Sequence, residues 1–237
     1  MLKKIIICSS LFISNILYSE ESLDIKKEEI NKVIEQYILN NPEIIIKSLD
    51  NFSEKREKIN KELSENILKN FYKKKIYVEY PSIGSKTKNL LIEFIDYNCG
   101  YCKKTLNTIN KLVNELEDIK IVFVDFPILS ESSELAARAA LAAEKQGFYF
   151  KYHSALLINK KPLTEKFLID TAKSFRLDLE KFKKDMNSKE IKEKILNNIK
   201  LAQDLQIRGT PTFIVGSNIL PGAYDYDKLK SIILNNI

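Results

Sequence analysis

Cys99 and Cys102 enclose two residues, Gly100 and Tyr101, and lie between two kinds of sequence. Before them runs a mostly apolar stretch, Leu90 to Ile95. After them Leu106, Ile109, Val113 and Leu116 recur at spacings of three and four. A strand therefore hands over to a helix at the pair. The first turn of a helix carries unpaired backbone N–H groups and the positive end of the macrodipole. A thiolate on Cys99 is stabilised there, and its pKa is expected below the free value of about 8.5. Cys102 shares that helical face and lies within disulfide reach. The chemistry expected is attack by Cys99 on a substrate disulfide, followed by resolution of the mixed disulfide by Cys102, the less exposed sulfur.

Two other features bear on that pair. Gly209-Thr210-Pro211-Thr212 immediately precedes an apolar run, Thr212 to Val215. A proline that opens a strand beside a redox pair can be cis, which would turn the Thr210 backbone toward the sulfurs. The Thr210 N–H and C=O could then pair with a substrate peptide as an added strand. Glu93 is an acid inside the apolar run, six residues before Cys99. Buried, it would have a raised pKa and could pass protons to or from Cys102 through water. At a sheet edge facing solvent it would be an ordinary surface acid.

Other chemistries find less support. A zinc site needs about four ligands, and the chain beyond its first twenty residues holds two cysteines and one histidine, His153. The aromatic neighbours of His153 suggest a histidine packed within a helix. No glycine-rich phosphate loop or dinucleotide fingerprint is present, so the expected redox group is the Cys99–Cys102 disulfide itself, with no cofactor and no metal. The net charge is +6, from 38 Lys and Arg against 32 Asp and Glu. The basic residues are interleaved with acids along the chain, which argues against nucleic acid as a partner.

The elements that must position these residues follow from pattern. Residues 1–19 read as a cleaved signal peptide: Lys3 and Lys4, a mostly apolar run from Ile5 to Leu17, then Tyr18-Ser19 before an acidic stretch. Cys8 lies within that run and would be discarded with it. The run is short for a membrane span of about 20 residues, and export implies an oxidising compartment. Residues 20–75 read as an N-terminal helical arm. Ile30, Val33, Ile34, Tyr37 and Ile38 share one face, Asn41 suits an N-cap and Pro42 a first helical position. The positions Ile45, Leu49, Phe52, Arg56, Ile59 and Leu63 alternate four and three, a coiled-coil seam interrupted at Arg56. Such a helix packs on its own domain or self-associates. Residues 76–237 follow as the main domain: short strand Ile76–Tyr80, strand Leu90–Ile95, a helix, strand Lys120–Phe126, a helical insert at about 130–206, strand Thr212–Val215, a hairpin turn Gly216-Ser217-Asn218, and a last helix capped by Asp225 or Asp227. The class is α/β.

The stretch Glu93-Phe94-Ile95-Asp96-Tyr97-Asn98-Cys99-Gly100-Tyr101-Cys102-Lys103 resembles the active-site segment of the DsbA-like branch of the thioredoxin superfamily. Gly147 to Leu156 resembles part of that family's helical insert. Gly209-Thr210-Pro211-Thr212-Phe213 is similar to its cis-proline loop, and Pro221-Gly222-Ala223 to the stretch that follows. Tyr37 to Glu43 resembles the helical extension of ScsC-type members. The resemblance implies a thioredoxin fold with an inserted helical domain, a cis Pro211, and an exported, periplasmic thiol–disulfide oxidoreductase. The implied partners are unfolded or wrongly disulfide-bonded exported proteins and a membrane thiol redox partner.

The direction of exchange depends on the residues between the cysteines and the one before the proline. Strong oxidants of the DsbA type carry Pro-His and Val at these places. Here they are Gly100-Tyr101 and Thr210, which look like the choices of disulfide isomerases and reductases. The expectation is therefore an isomerase or reductase with a less depressed Cys99 pKa, aided by oligomerisation through residues 20–75. The alternatives are a DsbA-type oxidase and a non-enzymatic, envelope-associated scaffold or holdase on the same fold.

Overall fold

The computed structural model describes residues 26–84 and 89–235. The expected signal peptide and Cys8 lie outside the described residues. Contacts divide the chain into two units, 1–59 and 60–237.

In the first unit, helix α1 covers residues 26–40 and helix α2, Glu43–Lys73, begins. Asn41 behaves differently from the expected N-cap. Its side-chain amide donates to the Tyr37 carbonyl at 2.7 Å, closing the end of α1. The apolar stripe is not buried: Ile30, Val33, Ile34 and Tyr37 on α1, and Ile45, Leu49, Phe52 and Ile59 on α2, are all exposed. The expected seam residue Arg56 lies with its guanidinium carbon 5.6 Å from the Phe52 ring centroid.

The second unit is built on a five-stranded sheet in the order β1-β3-β2-β4-β5: β1 Ser82–Ile83, β2 Asn89–Ile95, β3 Ile119–Asp125, β4 Thr212–Val215, β5 Asn218–Pro221. β2 and β3 run parallel from Asn89↔Ile119 to Ile95↔Asp125, joined by helix α3, Gly100–Glu115. β4 pairs antiparallel with β2, and the two-residue turn Gly216-Ser217 returns it into β5 with Val215 opposite Asn218. The expected strand at Ile76–Tyr80 is a 3-10 helix, Ile76–Glu79, and the short edge strand comes after it, at Ser82–Ile83. Ile76, Tyr77 and Tyr80 all pack against the core around Phe71, the two tyrosines at its ring, while Val78 is exposed, so the buried side chains do not alternate as they would in a strand.

Side chains alternate across the strands, so two cores form. Leu91, Ile95, Ile121, Phe123, Phe213 and Val215 point to one face, under Leu106, Ile109 and Leu112 of α3 and Leu229 and Ile233 of the last helix, α9 Tyr226–Asn235. Ile92, Phe94, Val122, Val124 and Ile214 point to the other, under Leu68 and Phe71 of α2 and Ala202 and Leu205. Glu93 and Asp125 fall on the first face by the same period.

Between β3 and β4 the insert is wholly helical: α4 Glu131–Glu144, α5 Tyr149–Ile158, α6 Glu165–Ser174, α7 Leu179–Met186 and α8 Lys189–Asp204. Its boundaries follow side-chain caps. Ser130, Thr164, Asp178 and Ser188 each accept a backbone N–H three residues on, and Asp225 does the same for Lys228 before α9. Gly147, at φ 78°, stops α4, with the Phe148 N–H reaching back to the Ala143 carbonyl. The small residues Ala136, Ala139, Ala140 and Ala143 are all buried and let neighbouring helices approach α4 closely. Among the described residues no helix is long and apolar enough to cross a membrane.

Candidate active site

The cysteines lie where parallel strand β2 passes into α3. Cys99 is the N-cap of that helix, in extended backbone conformation, and Gly100 opens it. Both cysteines are free thiols. Cys99 is 7 % exposed and Cys102 not at all, so Cys99 is the more accessible of the two. Hydrogen bonding from the Cys102 thiol outweighs burial and, with the Thr210 side chain and the backbone N–H groups of Cys102 and Tyr101, brings the Cys99 pKa down to about 5. Burial pushes the Cys102 thiol far up, reinforced by the Cys99 thiol and by the charge on Glu93. The pair is thus polarised: an acidic thiol at Cys99 and a fully buried, protonated thiol at Cys102.

The loop before Cys99 is held by an acid that sequence reasoning passed over. Asp96 is buried, and its two oxygens accept three backbone N–H groups: Asn98 at 2.8 Å, Ile128 at 2.9 Å and Leu129 at 3.0 Å. Asn98 Nδ2 lies 2.9–3.0 Å from the hydroxyls of Ser130, Ser132 and Ser133 at the start of α4. The cysteine loop is therefore pinned to the first residues of the insert. Asp96 is a polar residue just after an apolar strand, which was the available signal, but two of its three partners, Ile128 and Leu129, lie 32 and 33 residues away.

Thr210–Pro211 is a cis peptide bond, and the Cys99 thiol meets the Thr210 carbonyl at 3.1 Å. Pro211 is buried, with its carbonyl accepting the Gly222 N–H at 2.8 Å, and Thr212 Oγ1 donates to the Gly209 carbonyl at 2.8 Å. The loop that opens β4 thus comes up against the first sulfur. Gly100 and Tyr101 are exposed, and Lys104 Nζ sits 5.1 Å from the Tyr101 ring centroid.

Glu93 is buried, between Phe123 of β3 and Phe213 of β4 in register. Burial is the main reason that its pKa rises to about 8, opposed by the Thr105 hydroxyl and aided by charge on Cys99. Thr105 Oγ1 lies 3.0 Å from Glu93 Oε1 and 2.9 Å from the Cys102 carbonyl. With Glu93 protonated, one chain satisfies every group: Glu93 O–H to Thr105 Oγ1, Thr105 O–H to the carbonyl. As a carboxylate, Glu93 takes the Thr105 proton instead. The group is thus placed to exchange a proton within the turn that carries Cys102.

His153 stands apart from the sulfurs. It is buried among Tyr97, Phe123, Tyr149 and Phe150, and burial lowers its pKa to about 3, so the imidazole is neutral. The expected packed helix histidine is what the structure contains. Among the described residues no group of three or more His, Cys, Asp and Glu is placed to hold a metal ion.

Comparison with known proteins places this geometry in a lineage. The family model described as "DSBA-like thioredoxin domain" matches residues 90–234. A probable disulfide bond formation protein D from Bacillus anthracis is 33 % identical over 156 residues, covering 60 % of this chain and 71 % of that one. The thiol-disulfide exchange protein alpha-DsbA2 from Wolbachia pipientis superposes with a TM-score of 0.68 at 29 % identity, over 74 % of this chain and 96 % of that one. A linker-deletion variant of ScsC from Proteus mirabilis superposes with a TM-score of 0.67 at 28 % identity, over 89 % and 94 %. The match extends across the sheet, the insert and the cysteine helix, and the chain belongs to the DsbA-like thioredoxin family of thiol–disulfide oxidoreductases.

Proposed function

We propose that the protein acts outside the cytoplasm as a thiol–disulfide oxidoreductase on exported proteins, working mainly as an isomerase or reductase. The observation that carries the exchange chemistry is the polarised cysteine pair: Cys99 at the edge with a lowered pKa, Cys102 buried and protonated. The Cys99 thiolate attacks one sulfur of a substrate disulfide. A Cys99–substrate bond forms, and the other substrate sulfur leaves as a thiolate. Cys102 then gives up its proton and attacks the Cys99 sulfur, which closes the Cys99–Cys102 disulfide and releases the second substrate thiol. Two electrons pass from the pair to the substrate. In isomerisation, the freed substrate thiolate attacks the mixed disulfide before Cys102 does. Glu93 serves as the proton acceptor for Cys102, and the Thr210 backbone aligns the substrate segment.

The lean toward isomerisation rests on Gly100-Tyr101 and Thr210. The Cys99 pKa of about 5 lies between about 3.5 for a strong oxidant and about 7 for thioredoxin. It is less depressed than in the oxidant, yet low enough to favour the oxidase as the second reading. Extracytoplasmic placement is supported by kinship with ScsC and with a periplasmic thioredoxin-like protein from Salmonella enterica. The exposed stripe on α1 and α2 supports self-association of the arm, which would gather several active sites around one misfolded substrate.

One assay in two halves separates the readings. Recovery of activity from a scrambled-disulfide substrate, lost in Cys99→Ala, establishes the isomerase. Rapid oxidation of a reduced substrate with no unscrambling establishes the oxidase.

A further inference from the structure

The mobile charges around Cys99 are almost all of one sign. Lys103 follows Cys99 by one helical turn, its N–H bonded to the Cys99 carbonyl at 3.1 Å. Its Nζ donates to the Asn159 carbonyl at 3.0 Å, which brings the loop carrying Lys160 and Lys161 to the first turn of α3. Lys104 covers the exposed Tyr101 ring. Arg208 stands two residues before Thr210, whose carbonyl touches the Cys99 thiol. The four segments that frame the sulfur, residues 96–104, 127–131, 158–161 and 208–211, hold five basic side chains and two acids. One of those acids, Asp96, is buried and occupied by three backbone N–H groups, which leaves Glu131. Over the whole chain the ratio is nearly even, 38 to 32.

These cations are also uncompensated. In the insert, Lys145, Lys166, Lys181, Lys194 and Lys200 each pair with a carboxylate. Among the described residues none of the five around Cys99 does; Lys103 meets a carbonyl and Lys104 a ring. Four large apolar side chains lie exposed in the same segments: Tyr101, Ile128, Leu129 and Ile158, at 61 %, 42 %, 55 % and 69 %. An aromatic and an aliphatic platform bordered by unpaired cations fits an extended peptide that carries carboxylates.

We infer that this rim selects substrates: the enzyme exchanges disulfides preferentially with cysteines flanked by Asp and Glu in extended segments of its protein substrates. The inference rests on exchange at Cys99 as proposed above and adds the class of segment that reaches it. Uniform sign around a reacting group raises the local concentration of opposite charge and the encounter rate, and salt screens the effect.

The test is stopped-flow reaction of the reduced, purified protein with two peptide disulfides that differ only in flanking residues, acidic in one and basic in the other. The acidic peptide is expected to react about tenfold faster at low salt, with the ratio falling toward one at about 0.5 M salt. Charge reversal by K104E, K160E, K161E and R208E together is expected to invert the preference. Equal rates at low salt, or a preference that survives both salt and charge reversal, would overturn the rim. Failure of both peptides to react would overturn the exchange reading, and the rim with it.

Discussion

Glu93 and Asp125 are buried carboxyls on adjacent strands and on the same face of one sheet, yet their surroundings diverge. Glu93 lies under the redox helix, with Thr105 Oγ1 at 3.0 Å, and feels the charge on Cys99. Asp125 ends β3 where the sheet meets the insert. There Tyr149 O–H donates to Oδ1 at 3.0 Å, the Tyr149 and Tyr97 hydroxyls are 3.4 Å apart, and Tyr97 O–H lies 3.2 Å from His153 Nδ1. Asn198 Nδ2 donates to the Asp125 carbonyl at 2.9 Å, and Asp125 Oδ2 and Asn198 Oδ1 are buried without a partner among the described residues. Burial dominates at both acids, raising Glu93 to about 8 and Asp125 to about 7. Burial alone therefore does not distinguish the two acids. What separates the two is the neighbouring group: a turn that carries a sulfur at Glu93, an array of hydroxyls and a neutral imidazole at Asp125.

The largest test of that separation is kinetic. Glu93→Gln keeps the shape but cannot accept a proton, so resolution of the Cys99 mixed disulfide should slow about 100-fold. Quenched single-turnover release of substrate measures it. In the parent protein the rate should rise with pH through about 8, as the carboxylate forms, and the variant should lack that rise. Asp125→Asn should leave the same step within twofold. A slow step in Asp125→Asn, or a normal one in Glu93→Gln, would erase the distinction.

Next in size is the loop between the two regions. Asp96 accepts three backbone N–H groups, and Asp96→Asn replaces one acceptor oxygen by a donor that faces them. Loss of charge-assisted bonds at a buried site should cost about 3 kcal/mol, read as a fall in the denaturation midpoint with both cysteines intact. Little loss would mean that Asn98 and the serines of α4 hold the loop by themselves.

Much of this site was legible from residue types. Cys99, Cys102, Thr210, Pro211 and Glu93 declared themselves because each departs from its local pattern near the others in sequence or in motif. Asp125 departs just as Glu93 does, an acid closing an apolar strand, but no cysteine follows it, and its partners Tyr149 and Asn198 come 24 and 73 residues later. Asp96 does precede a cysteine, but two of its three partners, Ile128 and Leu129, come 32 and 33 residues later. Helix boundaries in the insert were legible because a cap is a local bond, three residues long. The strand expected at Ile76–Tyr80 failed for the opposite reason: a short apolar run carries little local information, and tertiary contacts of Tyr77 and Tyr80 with Phe71 decide the conformation.

Asp125 gives the third test, and its sign is opposite to that of a salt-bridged acid. The folded protein holds the proton up to about pH 7, whereas the unfolded chain releases it near 3.8. Stability from this group is therefore complete at low pH and declines as pH rises from about 4 to about 7. Asp125→Asn removes the charge that must be buried. It should match the parent near pH 3.5 and exceed it by about 2 kcal/mol at pH 8, below the ceiling of about 4 kcal/mol for three pKa units, because Tyr149 binds an amide oxygen less strongly than a carboxylate. Thermal melts at the two pH values decide it; equal differences at both would show that Asp125 is already ionised in the fold.

The smallest effect is the most direct probe of whether the two regions are one. Tyr97 lies two residues before Cys99, and its ring and hydroxyl belong to the junction network. Tyr97→Phe removes the hydroxyl that partners His153 Nδ1 and donates to Tyr149, and should cost about 1 kcal/mol. The imidazole is neutral, since its pKa is lowered to about 3. Its contribution is complete above about 6.5 and is lost as pH falls toward 3, so the cost should be read at pH 7 or above. Asp96 and Asn98 pin the loop on either side of Tyr97, and no bond runs from the Tyr97 hydroxyl to either sulfur. The Cys99 pKa, followed by thiolate absorbance, should therefore stay at about 5. A clear shift in that titration with only a small change in stability would join the hydroxyl network to the redox site, and Asp125 would have to be counted with Glu93.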